Sequence, residues 1–437
     1  MDHKENLSGW GNNINVNSNV HLPRNNDDIF NLYKQGIGLN SIARGLGRSY
    51  GDSSLEHNII SLKNYQKLIK FDEKLGTLEC SSNYSLNEIL RLIVKEGWFL
   101  NVTPGSKFIT IGGAIASDAH GKNHHLDGSF CDYVYSFKIV TSEGILYNCS
   151  KQENSELYYA SCGGMGLTGI IISAKIKLLR IKSKLINTQI IKTKNLKETI
   201  KKFKSLNENK YLVAWIDALA KKEDMGRSII FIGNHADEGD LNFLKKTKFS
   251  IPRIFPGFVL NRYTISFFNK LYYFFHKNNK KIKQNLDNFF YPLDSIDSWN
   301  NLYGKDGFIQ IQILIIEDNF EEIICKTLNF FQDKKQFSFL STLKELGLGN
   351  KNYLSFPSKG YTLTLDLKMN KDLKNIYEEF ELLLSKYKTK IYLTKDSFMS
   401  KKYFEDTYKD LNKFKEIKKR YDPLNIIKSL QSKRLGL

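Results

Sequence analysis

The chain has 437 residues, of which 41% are hydrophobic, 25% charged and 13% aromatic. This length exceeds what one hydrophobic core usually supports, and the composition excludes a globally disordered chain, so we expect two packed domains. The balance of 65 Lys and Arg against 46 Asp and Glu gives a net charge of +19. Such a charge predicts attraction to phosphates or anionic membranes, although a solvated lysine-rich surface gives the same count.

The sequence also indicates where the protein is located and which partners it lacks. No run approaches the roughly 18 apolar residues of a membrane span, and residues 1–6 lack the apolar segment of a secretion signal. Five widely spaced cysteines without a Cys-x-x-Cys pair predict reduced thiols and a cytoplasmic protein. Zinc-finger, basic-zipper and RNP signatures are missing, so we expect no nucleic-acid partner.

Three glycine-rich stretches mark the first 170 residues, at 43–52, 104–125 and 163–169. Glycine lets backbone amides approach a bulky anionic ligand, because no side chain blocks the contact. Gly164–Gly169 has the letters of a Rossmann fingerprint, but residues 170–176 predict a strand where that motif needs a helix. Residues 45–51 lack the Gly-Lys-Ser/Thr ending of a P-loop. The pattern favours a dinucleotide-binding domain of another type.

Periodicity predicts the elements between these loops. Ser85–Glu88 is a capping box, and the following apolar residues share one helical face until Gly97 ends the helix. Residues 7–180 therefore alternate helices, short strands and glycine loops. Longer elements follow from residue 181, including an amphipathic helix at 373–386. The tail at 400–437 is predicted to be helical.

A strongly aromatic segment, residues 265–275, is followed directly by the lysine-rich residues 276–283. Aromatic rings beside lysines are typical of an interfacial contact with an anionic membrane. A buried helix with a basic exit loop would give the same sequence. Both interpretations stay open from the sequence.

Two later strands show clean alternation. In residues 308–315 the isoleucines share one face and Gln310 and Gln312 the other. In residues 360–367 the polar face holds Thr362, Thr364 and Asp366. A polar sheet face is commonly exposed to solvent, but amides and hydroxyls without lysines would also suit the hydroxyls of a sugar.

A run of histidines, His120, His124 and His125, raises the question of a metal. Gly121 and Asn123 oppose the helix that would align residues four apart, and no acidic or cysteine ligand is close in sequence. We expect no metal.

The runs 42–52, 112–125 and 163–171 resemble the flavin-binding domain of the vanillyl-alcohol oxidase superfamily. Within it they are most similar to the oxidases of polyprenylphosphoryl pentoses, the flavin subunits of sugar epimerases. The resemblance extends from Gly9 to Leu424 and implies an α+β, two-lobed FAD-binding fold of the PCMH type with an antiparallel substrate-domain sheet flanked by helices. It implies an FAD-binding domain at 7–180, a substrate domain at 181–399, and a segment at 400–437 that returns to the FAD domain.

The resemblance also implies FAD bound without a covalent bond. The residues that match the cofactor site are Ala43, Arg44, Gly45, Leu46, Gly47, Arg48, Ser49, Tyr50, Gly51, Pro104, Gly105, Gly112, Gly113, Ala116, Ser117, His120, Gly121, Asn123, His124, Gly164, Gly166, Gly169 and Ile170.

Substrate-site matches are Trp215, Gln310, Gln312, Lys344, Thr362, Thr364, Asp366 and Lys395. The family carries an asparagine and a cysteine where this chain has Thr362 and Thr364, which leaves identical substrate choice open. Oxidation of an alcohol needs a proton acceptor and a positive environment for the reduced flavin, and the candidates are Tyr50, His120, Lys122 and Lys395.

The function implied is oxidation of the 2'-hydroxyl of a polyprenylphosphoryl pentose to a ketone, the first half of an epimerisation in cell-envelope polysaccharide synthesis. A separate short-chain reductase would complete it, and attachment to the inner face of the plasma membrane is the matching location. The alternatives are a sugar or aldonolactone oxidase acting on a soluble substrate, and a binding protein with a vestigial cofactor domain.

Overall fold

The computed structural model describes residues 3–242, 249–252 and 256–437. The strands in this part of the chain are β1 (His3–Ser8), β2 (Asn15–His21), β3 (Ser41–Arg44), β4 (Asn58–Ser61), β5 (Ile69–Asp72), β6 (Thr77–Ser81), β7 (Trp98–Leu100), β8 (Val134–Val140), β9 (Leu146–Ser150), β10 (Ile170–Arg180), β11 (Leu185–Thr193), β12 (Tyr211–Ile216), β13 (Ser228–His235), β14 (Lys280–Asn285), β15 (Phe308–Ile315), β16 (Ser341–Leu346), β17 (Gly360–Lys368) and β18 (Thr389–Ile391).

The helices are α1 (Asn26–Lys34), α2 (Leu86–Ile93), α3 (Ile111–Ala116), α4 (His124–Asp127), α5 (Ser155–Ser161), α6 (Leu196–Leu206), α7 (Arg262–Phe275), α8 (Leu286–Phe290), α9 (Phe320–Asp333), α10 (Leu373–Leu384), α11 (Lys401–Thr407), α12 (Leu411–Tyr421) and α13 (Leu430–Leu435). The fold is α+β, as predicted. No helix in the described ranges is long and apolar enough to cross a bilayer.

Local sequence signals act as predicted at several elements. Ser85 and Glu88 form the reciprocal capping box at the start of α2, and Gly97 closes the following turn with a φ of +79°. The apolar face of α2 is buried in the first lobe. Residues 170–180 form β10, so the glycine motif before it leads into a strand and not into the helix of a Rossmann unit.

Two sheets build the first lobe. One is a four-stranded sheet in the order β1-β2-β4-β3, and the other runs β5-β6-β10-β8-β9 with β7 paired to β10. The chain then crosses to an antiparallel eight-stranded sheet in the order β14-β11-β13-β12-β16-β17-β15-β18. This larger sheet begins at Leu185, directly after β10 ends at Arg180.

The eight-stranded sheet is buried on both faces. Helices α6, α9 and α10 cover the face that carries Ile309, Ile311 and Ile313. The opposite face carries Gln310 and Gln312, which are 5% and 3% exposed, and it turns toward the first lobe. The interpretation of this polar face as solvent-exposed, which the sequence left open, is therefore wrong, because the first lobe covers it.

The C-terminal helices contact the first lobe. The backbone of Ser41 exchanges hydrogen bonds with Ile426 and Lys428, and Leu430 donates to the carbonyl of Leu55. In α13, Arg434 forms a salt bridge with Asp52 at 2.8 Å.

A buried carboxylate joins the two lobes. Asp118 follows α3 with a φ of +39°, and its oxygens accept hydrogen bonds from the side chains of Asn350, Asn352 and Ser355 at 2.7, 2.9 and 2.6 Å. The backbone N–H of Cys131 donates to the same carboxylate at 3.1 Å. Four donors from two segments thus depend on one side chain.

We predict that Asp118→Ala lowers the free energy of unfolding by about 3 kcal/mol or more, because it leaves buried donors without an acceptor. Asp237→Ala, at an exposed carboxylate, should change it by less than about 0.5 kcal/mol. Urea denaturation of both variants measures the difference. Equal stability of the two would show that the 350–355 segment does not depend on Asp118.

Candidate active site

A cavity of about 930 Å³ lies between the glycine loops of the first lobe and the polar face of the eight-stranded sheet. This volume is at the upper end of the range for ligand pockets, as a dinucleotide together with a substrate requires. Its walls come from both lobes, so each sheet supplies one side.

The first-lobe wall consists mainly of glycine-rich backbone. Of the predicted cofactor residues, those that line the cavity are Ala43, Arg44, Gly45, Leu46, Gly47, Arg48, Ser49, Tyr50, Pro104, Gly105, Gly112, Gly113, Ala116, Ser117, His120, Gly121, Gly166, Gly169 and Ile170. Gly47 has a φ of +63°, which favours glycine. A Cβ on Gly105 would meet no atom within 4 Å, so this residue faces open space where a ligand can approach the backbone.

Four predicted cofactor residues lie outside this wall. A Cβ on Gly51 would fall 2.0 Å from the Asp396 carbonyl oxygen, and one on Gly164 would fall 2.0 Å from that of Ala160, so these glycines serve close chain packing. Asn123 donates to the Asn101 carbonyl oxygen, and His124 accepts from the backbone N–H of Gly347. These four residues do not line the cavity, so their contact with the cofactor stays a prediction.

The opposite wall carries amides, hydroxyls, two indoles and two lysines. Of the predicted substrate residues, those that line the cavity are Trp215, Gln310, Gln312, Lys344, Thr364 and Lys395. Thr362 and Asp366 do not line it, because they lie fully buried one layer deeper. Thr342, which the sequence analysis missed, is also in the wall. It lies two residues before Lys344 on β16, so strand alternation could have found it.

Asp366 supports the wall from behind. It accepts a hydrogen bond from the Tyr303 hydroxyl at 3.0 Å and another from the Gln310 amide. Burial raises the pKa of Asp366 to about 7, against the lowering effects of these two donors and of the Lys395 charge. Tyr303 gave no signal in the sequence, because its role depends on a contact across 63 residues. Asp366 therefore positions Gln310 and does not itself face the cavity.

A chain of hydrogen bonds determines the tautomer of the His120 ring. The Thr362 hydroxyl donates to the Ile313 carbonyl at 2.8 Å, so its oxygen accepts from the Gln312 amide at 3.1 Å. The same Gln312 nitrogen lies 2.9 Å from His120 Nε2, which must then accept. The hydrogen of the neutral ring is thereby assigned to Nδ1, which faces Lys344 Nζ at 3.5 Å. Burial holds the pKa of His120 well below its ordinary value, so the ring is neutral.

Three half-buried lysines line the cavity. Lys395 Nζ lies 3.7 Å from the centroid of the Tyr50 ring, and burial lowers its pKa to about 7 while the Asp366 charge opposes that shift. Lys122 donates to the Phe289 carbonyl, and burial lowers its pKa to about 7. Burial lowers the pKa of Lys344 to about 8. In the described part of the chain no carboxylate pairs with Lys344.

Among the described residues, the side chains of this site are not arranged to bind a metal ion. The described residues contain no group of three His, Cys, Asp or Glu side chains arranged to hold a metal ion. His120 instead bridges the two lobes, since it belongs to the first and contacts Gln312 and Lys344 of the second.

Comparisons with known proteins identify the glycine-rich lobe. A family model described as "FAD binding domain" matches residues 19–150, and one described as "D-arabinono-1,4-lactone oxidase" matches residues 351–434. Decaprenylphosphoryl-beta-D-ribose oxidase of Mycolicibacterium smegmatis is 29% identical over 99% of this chain and 97% of its own. Delta(24)-sterol reductase of Homo sapiens is 25% identical over 27% of this chain and 23% of its own, and cytokinin dehydrogenase 1 of Arabidopsis thaliana is 28% identical over 36% and 29%.

The chain is an FAD-dependent oxidoreductase. Its matches are consistent with the vanillyl-alcohol oxidase superfamily. The cavity of this flavoenzyme fits the cofactor, because glycine-rich backbone would allow a dinucleotide to approach closely and the lysines of the lining could stabilise the negative charge of a reduced flavin. Arg48 adds a guanidinium stacked 4.0 Å over the Trp10 ring at the cavity wall.

We predict that Gly105→Leu weakens FAD binding by roughly tenfold or more, because the added side chain occupies cavity space that is free in the wild type. Gly105→Ala adds only a methyl group and should retain the flavin. The ratio of flavin to protein absorbance, with circular dichroism as the check on folding, measures the effect. Full flavin content in the leucine variant would place the cofactor away from this loop.

Proposed function

We propose that this flavoenzyme oxidises a secondary alcohol of a lipid-linked sugar, the 2'-hydroxyl of a polyprenylphosphoryl pentose, to the ketone. The carrying observation is the wall opposite the glycine loops, where Gln310, Gln312, Thr342 and Thr364 offer uncharged hydrogen-bonding groups at the cavity surface. Neutral donors and acceptors in this density suit a polyol. The similarity to decaprenylphosphoryl-beta-D-ribose oxidase of Mycolicibacterium smegmatis supports the same substrate class.

The reaction removes a proton from the hydroxyl oxygen and a hydride from the carbon that bears this hydroxyl. FAD, when bound, supplies the hydride acceptor. The chain must therefore supply a proton acceptor that is neutral near physiological pH, together with a fixed positive charge for the oxygen that loses its proton.

Lys344 is the proton acceptor in this proposal. Its nitrogen faces the Nδ1–H of His120, and an ammonium there would direct its hydrogens against that N–H. Lys344 has no carboxylate partner among the described residues, and burial lowers its pKa from the ordinary value to about 8, so its free amine forms more readily than that of an exposed lysine. Burial lowers the pKa of Lys395 further, to about 7, but the face of the Tyr50 ring and the charge of Asp366 give its ammonium form partners that Lys344 lacks. Lys395 then holds the positive charge and Lys344 takes the proton.

A soluble aldonolactone or sugar is the second candidate substrate. The match of residues 351–434 to the D-arabinono-1,4-lactone oxidase family favours it, because this segment includes Thr364 and Lys395 of the cavity wall. The two candidates share the alcohol chemistry and differ in the lipid phosphate. In the lipid-linked case a separate short-chain reductase would return the opposite epimer.

The substrate class is tested by flavin absorbance under anaerobic conditions. We expect polyprenylphosphoryl ribose to bleach the flavin of the purified enzyme, because its 2'-hydroxyl is the group that the site is proposed to oxidise. D-arabinono-1,4-lactone is the parallel sample. Bleaching by the lactone alone would replace the proposed substrate with the second candidate, and failure of both would refute the alcohol chemistry.

The role of Lys344 is tested by the rate of flavin reduction at different pH values. We expect this rate to rise with pH and to level off above about 8, because the amine form of Lys344 is populated above its pKa. Below that value the rate should fall roughly tenfold per pH unit. Lys344→Ala should lower the rate at pH 8 by about 100-fold or more.

Added small primary amines should restore the rate of Lys344→Ala, because they can occupy the space of the lost side chain. Lys395→Ala is the matched control, since it removes a half-buried lysine from the same cavity but no proton acceptor. Amine rescue of Lys395→Ala in place of Lys344→Ala would exchange the two roles.

A further inference from the structure

Helix α7 exposes an apolar face to solvent. Tyr263, Phe267 and Phe274 are 82%, 64% and 75% exposed, and Phe275 is 72% exposed. At 100° per residue Tyr263, Phe267 and Phe274 fall within one narrow outward arc. The alternative of a buried helix, which the sequence left open, is thereby wrong.

The inner face of α7 is tied down by polar contacts. Asn269 is 2% exposed and donates to Asp217 at 2.7 Å, and Asp217 is in turn paired with Arg227 at 2.7 Å. A surface helix of a globular protein normally has the reverse arrangement, with polar residues outside. The exposed rings are therefore held outward by a specific internal network.

The charge carried by α7 and its flanking residues has one sign. Residues 256–286 contain six Lys and Arg and no Asp or Glu. Lys270 lies on α7 itself, and the exposed residues Lys277 and Lys280 follow it, with Lys280 on the face of β14 that α7 covers. Lys283 lies 3.8 Å from Glu238, so it is partly compensated. A surface that meets this helix must be apolar at the centre and anionic around it.

The same helix forms part of the cavity wall. Phe268 and Tyr272 line the cavity, and the Tyr272 ring lies 4.9 Å from that of Trp215. The exposed rings are thus one helix width away from the predicted sugar site, a distance of about 10 Å.

We propose that α7, with Lys270, Lys277 and Lys280, is a docking surface for an anionic lipid bilayer. Aromatic rings enter the headgroup boundary while lysines meet anionic lipid, which is the pairing seen on this face. The inference deepens the proposed function, because a polyprenyl chain anchored in that bilayer could place its phosphorylated sugar in the cavity without leaving the membrane.

The test is flotation of the full, flavin-loaded enzyme with phosphatidylcholine vesicles that do or do not contain phosphatidylglycerol. We expect binding to the anionic vesicles and its loss at high salt. The double variant Phe267→Ser/Phe274→Ser should lower the vesicle partition coefficient by at least about tenfold. The triple variant Lys270→Gln/Lys277→Gln/Lys280→Gln should lower it by about fivefold per lysine, on anionic vesicles only.

Matched controls lie elsewhere on the surface. Leu75→Ser/Leu382→Ser removes two exposed apolar side chains, and Lys374→Gln/Lys402→Gln removes two exposed lysines, so both should bind vesicles like the wild type. Equal binding by the Phe267/Phe274 variant and the wild type would overturn the docking surface. So would sedimentation of the wild type as a dimer that this variant breaks, since a second copy of the chain would then cover the face.

Vesicle binding needs no turnover, so the two proposals fail separately. If the enzyme floats with anionic vesicles but polyprenylphosphoryl ribose leaves the flavin oxidised, only the proposed substrate is refuted. If a water-soluble short-chain analogue reduces the flavin equally in the wild type and the Phe267/Phe274 variant while no protein floats, only the docking surface is refuted.

Discussion

The geometry of the site depends on the contact between residues 50–52 of the first lobe and residues 394–396 of the second. The N–H of Tyr50 donates to the Thr394 carbonyl at 3.0 Å, and the absence of a side chain at Gly51 lets the Asp396 carbonyl approach. Arg434 then pairs with Asp52 and Asp396, both at 2.8 Å. Because Arg434 of the C-terminal helix binds both segments of this contact, Lys395 is held over the Tyr50 ring at the cavity wall.

This contact between the lobes is important because the cavity wall is electrostatically unfavourable without a ligand. Burial of a lysine disfavours its charged form, and three lysines share this environment. Asp366 offsets part of the penalty at Lys395, whereas Lys344 contacts only a neutral imidazole. Salt bridges and backbone contacts outside the cavity supply the stability that lets these lysines remain in the wall. An electron-rich ligand would reduce the remaining desolvation penalty of the lysines.

The sequence predicts helices and strands well, but it does not predict how deeply a side chain is buried behind the cavity wall. The capping box at Ser85 and the alternation in 308–315 are properties of neighbouring residues, so α2 and β15 follow from them directly. Strand alternation places Asp366 on the polar face. Its position behind the cavity wall depends on the hydrogen bond with Tyr303, which is distant in the sequence. The glycine loops predicted the cofactor lobe as a whole, whereas the packing role of Gly51 depends on a segment 345 positions later in the chain.

The position of α7 connects the two environments that a lipid-linked sugar requires. Its inner side carries Tyr272 against Trp215 at the cavity, and its outer side carries Phe267 and Phe274 in solvent. A purely soluble substrate gives no physical reason to expose these rings, since exposed apolar patches increase the risk of aggregation. The Asn269–Asp217 contact fixes the orientation of the helix, so the apolar outer side and the cavity wall keep a constant relation. One rigid helix therefore couples the surface at which such a lipid would be held to the wall at which its sugar would react.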